Sequence, residues 1–107
     1  MNKLFDILPE IKCAIKNVTY LTFGNNFNQS IKDSIPMNVT HLTFRNNFNQ
    51  PIKDSIPMNI THLTFGFYFD QKIKDNISLS VKKITLSKNC NGDLEEIIAR
   101  GVEIEKN

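Results

Sequence analysis

Residues 18–38 read VTYLTFGNNFNQSIKDSIPMN and residues 39–59 read VTHLTFRNNFNQPIKDSIPMN. The two stretches agree at 18 of 21 positions, differing at Tyr20/His41, Gly24/Arg45 and Ser30/Pro51. Residues 60–80, ITHLTFGFYFDQKIKDNISLS, keep 11 of the 21 residues of the row before them. Residues 81–101, VKKITLSKNCNGDLEEIIARG, keep little beyond the apolar skeleton, and a fifth row opens at Val102 with VEIE. A period near 21 lies in the band of leucine-rich-type solenoids, in which no single row can bury its own apolar face.

The chemistry within one row says how it folds. Val18, Leu21 and Phe23 are apolar with Thr19, Tyr20 and Thr22 between them, and the later rows repeat this as Val39/Leu42/Phe44, Ile60/Leu63/Phe65 and Val81/Ile84/Leu86. Alternate residues of a strand face opposite ways, so Leu21 and Phe23 point inward while Tyr20 and Thr22 point outward. The Asn-rich NNFNQ turns the chain, because Asn tolerates left-handed geometry and bonds to nearby backbone. Phe27, Phe48 and Phe69 then drop back inside, and Ile31/Ile52/Ile73 with Ile35/Ile56/Ile77 line the return path. Pro36 and Pro57 set an extended entry into the next row. No period of 3.5 or 3.6 runs through the rows, which excludes a coiled coil. The expectation is an α/β repeat solenoid, leucine-rich-repeat-like and right-handed, whose 21-residue rungs form one parallel β-sheet at about 4.8 Å spacing, with short helices at the two ends.

A solenoid has to cover its terminal rungs. Residues 1–17 are expected to form an N-terminal capping segment, with a short helix over residues 9–16 opened by Pro9 and facing inward through Ile11 and Ile15. Residues 18–80 form three repeats, and residues 81–107 a degenerate repeat and cap. In the latter, Asp93 and Glu96 are spaced as a capping box, Gly101 supplies the helix stop, and Leu94, Ile97 and Ile98 give the buried face. A last strand over residues 102–105 carries Glu103 and Glu105, followed by Lys106, which discourage further pairing.

Composition bounds the partners. The 107 residues are 40% hydrophobic and 22% charged, within the globular range. Thirteen basic against eleven acidic residues leave a net charge of +2, too small a surplus to argue for nucleic acid or anionic lipid. No stretch approaches the roughly 20 apolar residues of a membrane span, and Asp6, Pro9 and Glu10 interrupt any signal-peptide core. Cys13 and Cys90 make neither a disulfide framework nor a zinc cluster. An intracellular, cytoplasmic monomer without metal or cofactor is expected.

Stacking converts each outward position into a ladder. One ladder is Tyr20, His41, His62 and Lys83; the next is Thr22, Thr43, Thr64 and Thr85; a third is Gly24, Arg45, Gly66 and Ser87. Tyr20, Thr22, His41, Thr43, Arg45, His62, Thr64 and Lys83 are the candidate binding residues, nominated because they point outward on the usual contact surface of a solenoid. Two histidines on one ladder fall short of the three ligands of a catalytic zinc, and acidification should set them against each other. The Thr row reflects β-propensity more than ice or flat-ligand binding. Asn26/Asn47/Asn89 and Asn28/Asn49/Asn91 are expected to bond from turn to turn. Asn17, Asn38, Asn59 and Asn76 match the glycosylation pattern without a secretory signal to use it. Lys32/Lys53/Lys74 beside Asp33/Asp54/Asp75 form ladders of opposite sign that compensate each other. There is no phosphate loop, nucleophile elbow or zinc spacing, so no catalytic residue is nominated.

The recurring words LTFGNNFNQ, LTFRNNFNQ, IPMNVTHLTF and IPMNITHLTF resemble the FNIP repeat, a leucine-rich-like repeat of social amoebae and of giant viruses that infect amoebae. The resemblance covers residues 18–80 with a fading copy to about residue 101. It implies a solenoid and a non-catalytic role in protein–protein interaction, and brings no catalytic residues. Some relatives place an F-box before the repeats, which would imply a substrate-recruiting adaptor of a ubiquitin ligase. Only 17 residues precede the first repeat here, fewer than the helices of an F-box need. Near-identity of the first two rows also fits recent duplication, which leaves a remnant without a partner as the other alternative.

Overall fold

The alternation of apolar and polar residues along YLTF and its copies produces strands with one buried and one open face. In the computed structural model, which describes residues 2–5, 18–88, 90 and 94–107, these are β1 (Asn2–Phe5), β2 (Tyr20–Phe23), β3 (His41–Phe44), β4 (His62–Thr64), β5 (Lys83–Leu86) and β6 (Glu103–Lys106). They form a single six-stranded sheet in sequential order, every neighbouring pair parallel. A single helix among the described residues, α1 (Glu95–Ala99), lies in the last return arm. The expected helix over residues 9–16 lies outside the described residues.

The register follows the repeat where the repeat is intact. Tyr20 pairs with His41 and His41 with His62, each 21 residues on. Behind the sheet run two interleaved columns of phenylalanine. Phe23, Phe44 and Phe65 stack at centroid distances of 5.3 and 5.7 Å, and Phe27, Phe48 and Phe69 stack at 6.0 Å. Within each rung the two columns touch at 4.1, 3.9 and 3.8 Å. All six rings are buried, and burial of one such side chain contributes roughly 1.5–3 kcal/mol. The shared environment of these rings means that no rung owns a complete interior.

The return arms are built from tight turns rather than extended chain. Ser34, Ser55 and Asn76 donate their backbone N–H to the carbonyls of Ile31, Ile52 and Ile73, each at 3.0 Å. The third residue of each turn is an aspartate with positive φ: Asp33 at 57°, Asp54 at 56° and Asp75 at 66°. Asp is among the few non-glycine residues that tolerate this region. A second turn follows, in which Val39 and Ile60 donate to the carbonyls of Pro36 and Pro57 at 3.3 Å. This corrects the expected extended entry. Proline lacks an N–H, and the first position of such a turn uses only its carbonyl.

The two ends depart from the 21-residue rule. Asn2 pairs with Tyr20, an offset of 18 residues, so the sheet gains a strand inside the expected capping segment. At the other end Ile104 pairs with Ile84 and Glu103 with Lys83, an offset of 20. A fifth row counted from Val102 would have placed Ile104 opposite Lys83. The final arm is one residue shorter, and that shift puts Ile104 on the inner face and Glu103 and Glu105 on the outer one. The helix of that arm also corrects two expectations. Its N-cap is Leu94, which offers no side-chain acceptor, while Asp93 lies outside the described residues. Ile98 is exposed, whereas Leu94 and Ile97 are buried as expected. Gly101, at φ 89°, ends the helix. Its N–H goes to Ile98 at 2.9 Å and that of Val102 to Ile97 at 3.4 Å, the paired bonds of a Schellman stop with Ile97 and Val102 buried beside it.

Candidate functional site on the outer sheet face

The first outward ladder stands as a stack of rings. Tyr20 lies over His41 at a centroid distance of 4.0 Å and 10° between planes, and His41 over His62 at 4.3 Å and 8°. Parallel in-register pairing holds them there, since identical positions on adjacent strands lie about one strand spacing apart. Lys83 continues the ladder and reaches Glu105 at 2.9 Å. That bond, with the charges of Glu105 and Glu103, raises the Lys83 pKa above its ordinary value.

Each histidine is also held from behind. Thr40 Oγ1 lies 2.8 Å from His41 Nδ1 and 3.3 Å from the Thr19 carbonyl. Thr61 Oγ1 repeats this, 2.9 Å from His62 Nδ1 and 3.2 Å from the Thr40 carbonyl. A hydroxyl has one hydrogen. With that hydrogen given to the carbonyl, each imidazole donates from Nδ1 and keeps Nε2 as an acceptor toward solvent. The pKa of His41 is lowered by burial and, second, by His62. The sequence reading missed Thr40 and Thr61, although the recurring Thr-His pair in VTH and ITH carries the signal.

Both Nδ1 atoms are engaged by threonine hydroxyls, and two imidazoles alone fall short of the three protein ligands of a catalytic zinc. Among the described residues no group of three His, Cys, Asp or Glu is placed to hold a metal. Thr22, Thr43 and Thr64 form the second outward row, in register and half-buried between the strands. The third ladder does not belong to the face. Gly24 and Ser87 are buried past the strand ends and Arg45 is exposed on the rim, because the chain has already begun to turn. Gly66 is required there, as a Cβ on it would lie 2.4 Å from the carbonyl carbon and oxygen of Arg45.

The Asn turns bond from rung to rung as expected. Asn28 Oδ1 accepts from the Asn49 N–H and from Gln50 Nε2, each at 2.9 Å. Asn49 Oδ1 accepts from the Asp70 N–H at 2.9 Å and from Gln71 Nε2 at 3.0 Å. Asn47 reaches Asn26 at 3.5 Å; Asn89 and Asn91 lie outside the described residues. In the third rung the Asn-Asn pair becomes Phe67 and Tyr68, which are exposed and meet edge to face at 4.9 Å. That departure from the repeat was visible in the rows, yet these two aromatics were not nominated.

Parallel rungs, a tight Asn turn and a continuous aromatic and aliphatic interior define a leucine-rich-like repeat solenoid. The profile described as FNIP Repeat matches residues 4–47, 27–68 and 48–79. The chain belongs to the FNIP repeat family. It is similar to the crystal structure described as that of CroV588, a novel circular LRR protein, with a TM-score of 0.73, 38% identity and 83% of the chain covered. The matched region spans 14% of that longer chain. No curated protein matches the sequence. Solenoids of this kind are commonly protein-interaction scaffolds and typically non-catalytic. No helix among the described residues is long and apolar enough to cross a membrane.

Proposed function

We propose that this chain is a non-catalytic module that binds a protein partner through the outer face of its sheet. The observation that carries the reading is the Tyr20–His41–His62 stack, three parallel rings in a row on the outer face that the core does not need. Flat, pre-ordered aromatic groups lose little entropy on binding, the property that enriches them at interfaces. A net charge of +2 favours a protein over nucleic acid as the partner. Arg45, exposed at the rim of the central rung, supplies the charged contact.

The test is affinity capture from the native host, quantified by mass spectrometry, with the wild type and two variants. A partner of this face should be recovered by the wild type and lost with His41→Ala/His62→Ala. Arg45→Ala should lower its recovery roughly tenfold, as a charged hot spot would. Full recovery with both variants would overturn the assignment of the face. Recovery of nothing would favour a duplication remnant.

A further inference from the structure

Two imidazoles stacked face to face on an open surface form a pair in which a second positive charge has little to relieve it. His41 and His62 stand in register on adjacent strands, 4.3 Å apart by centroid with 8° between planes. From β2 the facing group is Tyr20, 4.0 Å from His41. From β5 it is Lys83, in register with His62, with Lys82 beside it in the chain and exposed. Arg45, exposed on the rim of the rung that carries His41, is a further cation. β6 contributes Glu105, bonded to Lys83 at 2.9 Å, and Glu103, in register with Lys83, both two strands away from His62. β1 adds the uncharged Asn2 opposite Tyr20, and Thr22, Thr43 and Thr64 fill the neighbouring outward row. No carboxylate occurs on β2, β3, β4 or β5.

We propose that this stack is an acid-operated latch: neutral, the two rings lie together and order the outer face; doubly protonated, they part, and a bound partner is released. The release rests on the reading of the sheet face as the partner site; the parting of the rings does not. The threonines behind the rings serve both protonation states. Each hydroxyl can donate to the Thr19 or Thr40 carbonyl while accepting from a ring N–H, and a histidinium carries that N–H as a neutral ring can. Proton uptake leaves these bonds intact, so its cost falls on the contact between the rings. Two unit charges at this separation repel even in water, and the pair therefore takes its protons in two coupled steps. In keeping with this, His41 is held below its ordinary value by burial first and by His62 second. A partner that covers the rings strips water from them and disfavours their charged forms further. Protons and partner thus compete for the same surface.

The latch is read first without a partner, by NMR of the imidazole carbons and the Tyr20 ring from about pH 8 to about pH 4.5. The pair should titrate in two steps more than about one pH unit apart, beyond the separation of two independent sites. The ring-current shift of Tyr20 should be lost with the second step, while circular dichroism over the same range stays unchanged. His62→Gln should raise the His41 midpoint by roughly half a unit, and Glu105→Gln, which frees the charge of Lys83, should move the pair to lower pH. Independent titration of the two rings, or a Tyr20 shift that persists to about pH 4.5, would overturn the latch. For the release, proteins captured from the native host at about pH 7.5 by the wild type and not by His41→Ala/His62→Ala should elute at about pH 5.5. They should stay bound to His41→Phe/His62→Phe, which keeps stacked rings without titrating. Retention or tighter binding by the wild type at the lower pH would overturn acid release. Capture that the alanine variant leaves unchanged would instead overturn the sheet face as the partner site, and the ring titration alone would then decide the latch.

Discussion

Replacing Phe48 with alanine removes the ring at the middle of the aromatic interior. Phe48 is fully buried, 3.9 Å by centroid from Phe44 in its own rung and 6.0 Å from Phe27 and Phe69 in the rungs on either side. The stacked rungs restrict collapse, so the cavity term adds to the lost transfer energy, and the cost is about 3–5 kcal/mol. A domain of this size holds about 5–15 kcal/mol in total. With a urea m-value of about 1–3 kcal/mol/M, the unfolding midpoint should fall by about 2 M. Phe48→Leu keeps most of the volume and should cost less than half as much. Phe67→Ala serves as the control, because that ring is 53% exposed and its removal should cost under about 1 kcal/mol. Urea unfolding followed by circular dichroism measures all three. If Phe48→Ala cost no more than Phe67→Ala, the idea that adjacent rungs share one interior would be refuted.

Gly66→Ala drives a methyl group into the Arg45 backbone, 2.4 Å away, and should destabilise by about 1–3 kcal/mol in the same assay. A neutral result would mean that the rungs can separate there at no cost. The lowered pKa of His41 favours its neutral form in the folded state. Its contribution to stability is therefore complete above the ordinary histidine value of 6.5 and is lost as pH falls through the lowered one. NMR titration should place His41 below 6.5, and His41→Phe, which keeps a ring in the stack, should flatten the acid limb of the stability curve. A His41 value at or above the ordinary one would end this account.

The period of 21 made the interior legible before any coordinates. Once Phe23, Phe44 and Phe65 recur in register, parallel stacking is the arrangement that buries them all, and the Tyr20/His41/His62 ladder follows on the opposite face. The bonding between Asn28 and Asn49 was readable for the same reason, since a repeated amide in a repeated turn has its own copy as neighbour. What failed was whatever the repeat did not encode. β1 pairs at an offset of 18 and β6 at 20, and β6 takes the register that sets its apolar residue against the inner face of a sheet that already exists. Ile104 opposite Ile84 is the result, visible only once β5 is in place. The Thr40 and Thr61 bonds behind the histidines and the close approach at Gly66 likewise depend on how far one rung stands from the next. Sequence periodicity determined that the rungs stack and which side of each strand faces in. The tertiary structure alone decided the registers of the two end strands and the close contacts across rungs, because these arise from contacts between rows that no single row contains.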